Sequence, residues 1–268
     1  MLGGATGDPQ AVESAERAAR WILANRSLAN SPYEFSRYLA RNGRSPLGGF
    51  RHDEHDAAGP YLGDNLAMGR AFLALYGATG NRDWLRRAIA AGQFIRQNFT
   101  VDQGGATAGF YSAAGEGGLP PIRDVDENIS AARFFNLLSH YSGDTTFRDS
   151  ARQAIRYLAA DAVALARISD PGILLADAEL AQNPVHVTVV GPKPDAKAQA
   201  LFAAASKVPA PYKRVEWWDV GEGPMPNPDV QYPTLKNSAA FVCTNKLCSS
   251  PISEPEKILM LLMKLSVK

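Results

Sequence analysis

Residues 64–88, DNLAMGRAFLALYGATGNRDWLRRA, return as residues 127–151, ENISAARFFNLLSHYSGDTTFRDSA, at an offset of 63 (127 minus 64) with no gap. Each copy opens on an acid followed by asparagine. Arg70 then falls on Arg133, Phe72 on Phe135, Leu75 on Leu138, Gly80 on Gly143 and Trp84 on Phe147. A duplicated stretch of this length is a repeat of one supersecondary unit, which sets the architecture before any chemistry is considered.

Within each copy the periodicity predicts two antiparallel helices. Leu66, Ala67, Met68, Ala71, Phe72, Leu73, Ala74 and Leu75 go nearly all the way round the first, as suits an inner helix enclosed by others. In the second, Leu85, Ala88, Ile89, Gly92 and Ile95 form one stripe opposite Arg86, Arg87, Gln93, Arg96 and Gln97, which predicts an outer helix with one wet face. Gly80 and Gly143 suit the left-handed residue that ends a helix, and Asn81 and Asp144 suit the cap of the next.

The chain has 268 residues, 46% of them hydrophobic, enough to bury a sizeable core. With 28 basic and 27 acidic residues the net charge is +1, which gives no electrostatic reason to expect nucleic acid or an anionic membrane as a partner. No apolar run approaches a bilayer span, and the N-terminus lacks a basic and then apolar leader pattern. Two cysteines do not make a disulfide framework, so the expected setting is cytoplasmic and reducing.

From the N-terminus, residues 1–10 are expected to be disordered and 11–30 helical. Ala15, Ala19 and Ile22 share the spacing of Ala88, Gly92 and Ile95, as if this were the outer helix of an earlier hairpin. Residues 31–60 read as a long connection with extended stretches at 33–39 and 48–52, and it holds His52 and His55 in RHDEHD. Residues 101–126 form a second, Gly-rich connection. The last repeat helix ends before the breaker Asp170-Pro171-Gly172. The pattern then changes: VHVTVV at 185–190 is a buried strand, followed by a helix over 194–207, strands at 214–218 and 239–243, and a helix over 254–265. Strand, helix, strand implies a right-handed crossover with at least one parallel pair. The fold class is therefore mainly α, a partial α/α toroid of helical hairpins over 1–175, then a small α/β module over 183–268.

The tail, with Phe241, Val242, Cys243, Cys248 and Pro251, resembles the end of the spermatogenesis-associated, thioredoxin-domain-containing family. The repeat resembles that family's toroid, the architecture of six-hairpin glycosidases and N-acylglucosamine epimerases. The resemblance implies a carbohydrate-active or carbohydrate-binding protein. It also implies a thioredoxin-like domain with a Cys-x-x-Cys motif ahead of the repeats; this sequence has neither, and only about five toroid helices where six hairpins need twelve. The expectation is a C-terminal portion of a longer protein, or a shortened relative. The alternative function is a non-catalytic scaffold supporting a thioredoxin-like domain.

The candidate catalytic pair is Asp64 and Glu127, at equivalent ends of two inner helices, where paired carboxylates can act as general acid and base on a glycosidic bond. The simpler reading makes each a helix N-cap assisted by Asn65 and Asn128. Those asparagines, Arg70, Arg133 and His52 are candidate binding residues. The arginines suit a carboxylate or phosphate, or internal ion pairs to Asp64, Asp126 or Glu127. His52, Asp53, His55 and Asp56 suit a metal or acid/base role, or a solvated loop. Trp84, Phe94, Phe99, Phe110 and Tyr111 suit a sugar-stacking floor, or plain core. Cys243 and Cys248 are the candidate redox pair, with a reduced structural Cys243 as the default. No metal and no cofactor is expected, and Gly191 lacks the repeated glycines of a phosphate-binding loop. The expected partners are a carbohydrate ligand and a second copy of the chain, because a missing half-ring would bare the inner helices.

Overall fold

The computed structural model describes residues 6, 8–30, 32–54, 59–100, 108–114, 122–166, 170–244 and 247–266. Its first part is helical: α1 Pro9–Arg26, α2 Pro32–Asn42, α3 Leu62–Thr79, α4 Arg82–Phe99, α5 Val125–Ser142, α6 Thr145–Leu158, the single turn α7 Asp161–Ala164, and α8 Pro171–Ala181. A four-stranded sheet follows, of β1 Val185–Val190, β2 Lys213–Trp218, β3 Ala239–Thr244 and β4 Leu247–Cys248. With it come the helices α9 Ala196–Ser206 and α10 Pro255–Ser266. The molecule is thus mainly α with a small α/β module.

The repeat holds at the level of individual contacts. Among its described residues α3 exposes only Ala67 and Arg70, and α5 only Asp126, whereas α4 and α6 bury one side each. Gly80 (φ 64°) and Gly143 (φ 73°) end α3 and α5 in the left-handed conformation, which a side chain would strain. Asn81 and Asp144 then cap α4 and α6 by accepting from the Asp83 and Thr146 N–H groups. The aromatic packing is duplicated too. Phe72 lies between Phe50 and a stacked Trp84, and Phe135 lies between Phe110 and a stacked Phe147. An arginine of the preceding outer helix covers the last ring each time, Arg20 over Trp84 and Arg96 over Phe147.

This places α1 as an outer helix of the same series. Its end pairs Ser27 with Phe50, as the end of α4 pairs Thr100 with Phe110. Two sequence expectations are corrected here. Helix α1 begins at Pro9 with Asp8 as its cap, so the disordered stretch reached too far. Residues 33–39 are helical, within α2, not extended, because Tyr38 is drawn to one side, buried, donating to Asn98 Oδ1 at 2.7 Å. The apolar inner-helix surface expected to lie bare is covered. The large exposed hydrophobics sit elsewhere, such as Trp21 on α1, Leu174 on α8 and Met260 and Met263 on α10.

The strand order is β2-β1-β3-β4, with β1 and β2 parallel and the other pairs antiparallel. One face, with Val187, Val189, Val215, Trp217, Ala240 and Val242, packs on α9 and α10. Asp170-Pro171 breaks the chain as expected but starts α8, with Asp170 as its cap and proline in the first turn. Helix α8 runs past residue 175 and lies against α5 and α6, so the helical part extends to Ala181. The module covers the C-terminal ends of the inner helices. A Cβ at Gly80 would come within 2.9 Å of Trp217 Cβ, and the free edge of β2 donates its Val215 N–H to the Tyr141 hydroxyl at 2.9 Å. The opposite, N-terminal ends of α3 and α5 are where the acids lie.

Candidate acidic site at the inner-helix N-termini

The two acids occupy the same place in their helices, the third residue of α3 and of α5, and neither is the cap. Tyr61 is the cap of α3 and makes no side-chain capping bond. Asp124 caps α5 by accepting from the Glu127 N–H at 2.9 Å. Both carboxyls are therefore left for other partners, while the positive end of the helix still favours them.

Packing of α3 on α5 sets the Glu127 side chain against Gly63, the residue before Asp64. A Cβ at Gly63 would stand 2.8 Å from Glu127 Oε1. Deeper in the pair, a Cβ at Gly69 would stand 2.6 Å from the Phe134 ring. Asp64, the residue after Gly63, is held by His52, whose Nδ1 lies 3.1 Å from Oδ2, and the His52 ring meets Tyr61 edge-on at 5.9 Å. Glu127 is half-buried, with Oε2 shut away from water and without a hydrogen bond. Burial pushes its carboxyl above the ordinary range. Asp124 and Asp64 push the same way, against the pull of the nearby Ser112 hydroxyl and Gly63 amide.

The sign of the resulting pH dependence is definite. A carboxyl whose folded value is raised binds more protons in the native than in the unfolded state, so its contribution to stability falls as pH rises from the unfolded value through the folded one. Replacing Glu127 by Gln is expected to flatten the stability curve across that window while leaving α-helix content unchanged, as read by thermal unfolding at a series of pH values. An unaltered slope would mean that the burial of Glu127 is not felt.

The other candidates separate. Asn65 and Asn128, fully buried, act as staples. Asn65 Oδ1 accepts from the Phe50 N–H at 2.9 Å, and its Nδ2 donates to the Phe50 and Tyr61 carbonyls. Asn128 does the same to Phe110 and Asp124. Each ties an incoming segment to an inner helix because that segment's backbone, buried beside the helix, has no ladder to satisfy it. Arg133 pairs with none of the three acids considered for it; it forms a two-pronged pair with Glu179 of α8, both bonds 2.8 Å. Arg70, its repeat equivalent, is exposed, because no α8 crosses its position. Trp84, Phe94, Phe99 and Phe110 are core, leaving Tyr111 as the one partly exposed ring of the suggested stacking floor. His55 and Asp56 lie outside the described residues, and among the described residues no group of three or more His, Cys, Asp or Glu is placed to hold a metal. Nor is any described helix long and apolar enough to cross a membrane.

Cys243 and Cys248 form a disulfide instead of the expected reduced thiols, because the β3–β4 hairpin sets them directly opposite each other. A spacing of five residues predicts nothing about pairing until that turn is known.

Sequence reading missed a second polar group on the other face of the sheet. Arg214, only 2% exposed, meets Glu216 and Asp229 carboxylate oxygens at 2.6 Å each. His186 Nε2 lies 3.0 Å from Glu216 Oε2 and 2.8 Å from Thr188 Oγ1, which also accepts from Tyr232. Tyr76 and Tyr141 from the inner helices close over it, and burial pushes both phenols up. His140 nearby is held down at about 4 by burial and by the Arg148 and Arg214 charges. The signal was present as polar residues at every second position of two apolar strands, His186 with Thr188 and Arg214 with Glu216. The sequence reading took 185–190 only as a buried strand and 214–218 only as a second one. No protein-family model matches the chain, and no curated protein matches its sequence.

Proposed function

We propose that the N-terminal mouth of the inner helices is a carbohydrate site, with Glu127 as proton donor and Asp64 as the paired carboxylate. The helical hairpins are then part of a six-hairpin-like α/α toroid, related to the spermatogenesis-associated, thioredoxin-domain-containing family. The observation that carries the reading is the unequal setting of two repeat-equivalent acids. Glu127 is desolvated and biased toward its protonated form, whereas Asp64 faces His52 in a more polar surrounding. Two carboxyls in unlike settings can divide the work on one glycosidic bond, one protonating the leaving oxygen and the other serving as base or nucleophile on the far side of the sugar. His52 and Tyr61 beside Asp64 supply a donor and a ring edge for hydroxyl-rich ligands. Neither acid is occupied as a helix cap, which favours this reading over the scaffold.

Thermal-shift screening against a panel of neutral, amino and uronic sugars tests it. A saturable rise in the unfolding temperature of the wild type is expected, with the response lost in D64N/E127Q, a nearly isosteric change. At a ligand concentration of 100 times Kd the stabilisation is about 2.7 kcal/mol, so binding is measurable if present. The same response in wild type and double variant would place the sugar elsewhere, and no response to any sugar would remove the proposal.

A further inference from the structure

The β3–β4 hairpin carries a chemically asymmetric disulfide. Cys243 is buried, 5% exposed, on the sheet face with Val190, Ala239 and Phe241, and it is the register partner of His186. Cys248 is exposed, on a two-residue strand at the edge of the sheet. The bridge closes a loop of five residues' separation, and a cross-link over so short a loop removes the least entropy from the unfolded chain. Nor is it needed to hold the segment. The Ser249 N–H donates to the Val242 carbonyl at 2.9 Å, and Ala240 and Ile252 exchange both backbone bonds at 2.8 and 2.9 Å. The chain after the bridge thus stays tied to β3 without it.

We propose that this pair is a reversible thiol-exchange site, in which Cys248 takes up an external low-molecular-weight thiol and Cys243 is the resolving thiol. An incoming thiolate approaches the bridge from the side of the exposed residue, Cys248, and not from that of the buried Cys243. A mixed disulfide forms at Cys248, the Cys243–Cys248 bond breaks, and the electron pair leaves on Cys243, which takes a proton from solvent. The reverse step needs no diffusion, because the hairpin keeps the Cys243 thiol opposite the adduct. Cys243 attacks Cys248, re-forms the bridge and expels the external thiol, whose thiolate takes back the proton. Attack follows access and thiolate character, and here access alone separates the two sulfurs.

The test uses the full chain, isolated without reductant and incubated with reduced glutathione at neutral pH. Acid quenching, alkylation and peptide mass mapping then locate the adduct. Glutathione is expected on Cys248, with the alkyl group on Cys243, in roughly tenfold or greater excess over the opposite arrangement. Removing free glutathione should restore the bridge, and far-UV circular dichroism should stay native throughout. In C243S, whose free Cys248 thiol is loaded by exchange with oxidised glutathione and releases one reduced glutathione, the adduct should persist after glutathione is removed. The wild-type mapping stands even if that variant fails to fold. The proposal is overturned if the isolated chain holds no Cys243–Cys248 bridge, if exchange requires denaturant, if glutathione settles on Cys243, or if folded C243S sheds its adduct as fast as wild type.

Discussion

Arg214→Met is expected to destabilise the protein by about 3–5 kcal/mol, the range for removing one partner of a buried ion pair. In a domain of this size that is a fall of roughly 10 °C in unfolding temperature. The reason lies in what Arg214 leaves behind. Glu216 is fully buried, with Oε2 facing Arg214 and His186 and Oε1 unbonded, and Asp229 comes in from the covering loop. Methionine fills the guanidinium's stem but neutralises neither acid, so a charge is stranded under Tyr76 and Tyr141. E216Q placed in the same chain is expected to recover part of the loss, since no stranded charge then remains at that position. Urea unfolding of both variants with the double mutant gives the coupling between them. Additive losses would show that the two groups do not sense each other. A loss under 1 kcal/mol for the arginine variant would mean that water reaches the network.

Asn128→Ala and Asn65→Ala are each expected to cost about 2–4 kcal/mol, because a buried backbone N–H and carbonyl left unpaired cost about 1–3 kcal/mol apiece. In both cases one side chain satisfies both polar groups of a phenylalanine, Phe110 or Phe50, and a carbonyl at the helix start. Asn→Asp should be no milder, since it keeps the acceptor but turns a carboxylate oxygen toward two carbonyls. The measurement separates the structural role from the binding role that the sequence suggested. A ligand contact would lose affinity with little change in unfolding; a staple loses stability whether or not ligand is present. A similar cost in the two variants would also show that the copies are energetically equivalent, as their bonding implies.

These staples mark where the sequence was legible and where it was not. The acid-asparagine opening of each copy was visible, and so was its repetition. Its purpose was left between a helix cap and a ligand because the groups that it serves, the Phe50 and Phe110 backbones, are 15 and 18 residues away in the chain. The arginines teach the same lesson. Arg70 and Arg133 are equivalent by register, yet among the described residues only Arg133 meets an acid, from a helix whose start the sequence read as a breaker.

What the sequence determined by itself is whatever depends on neighbours within a turn or two. The helix periods, the left-handed glycines at 80 and 143, the caps at 81 and 144, and the bounds of β1, β2 and β3 all rest on local torsions and on which side of an element is apolar. The tertiary structure alone decided the partners: Glu179 for Arg133, Glu216 for Arg214, Cys248 for Cys243, and Gly63 for Glu127. Those choices depend on distances between elements far apart in the chain, and a charge or a thiol carries no local mark of what will face it once the helices have packed and the sheet has closed.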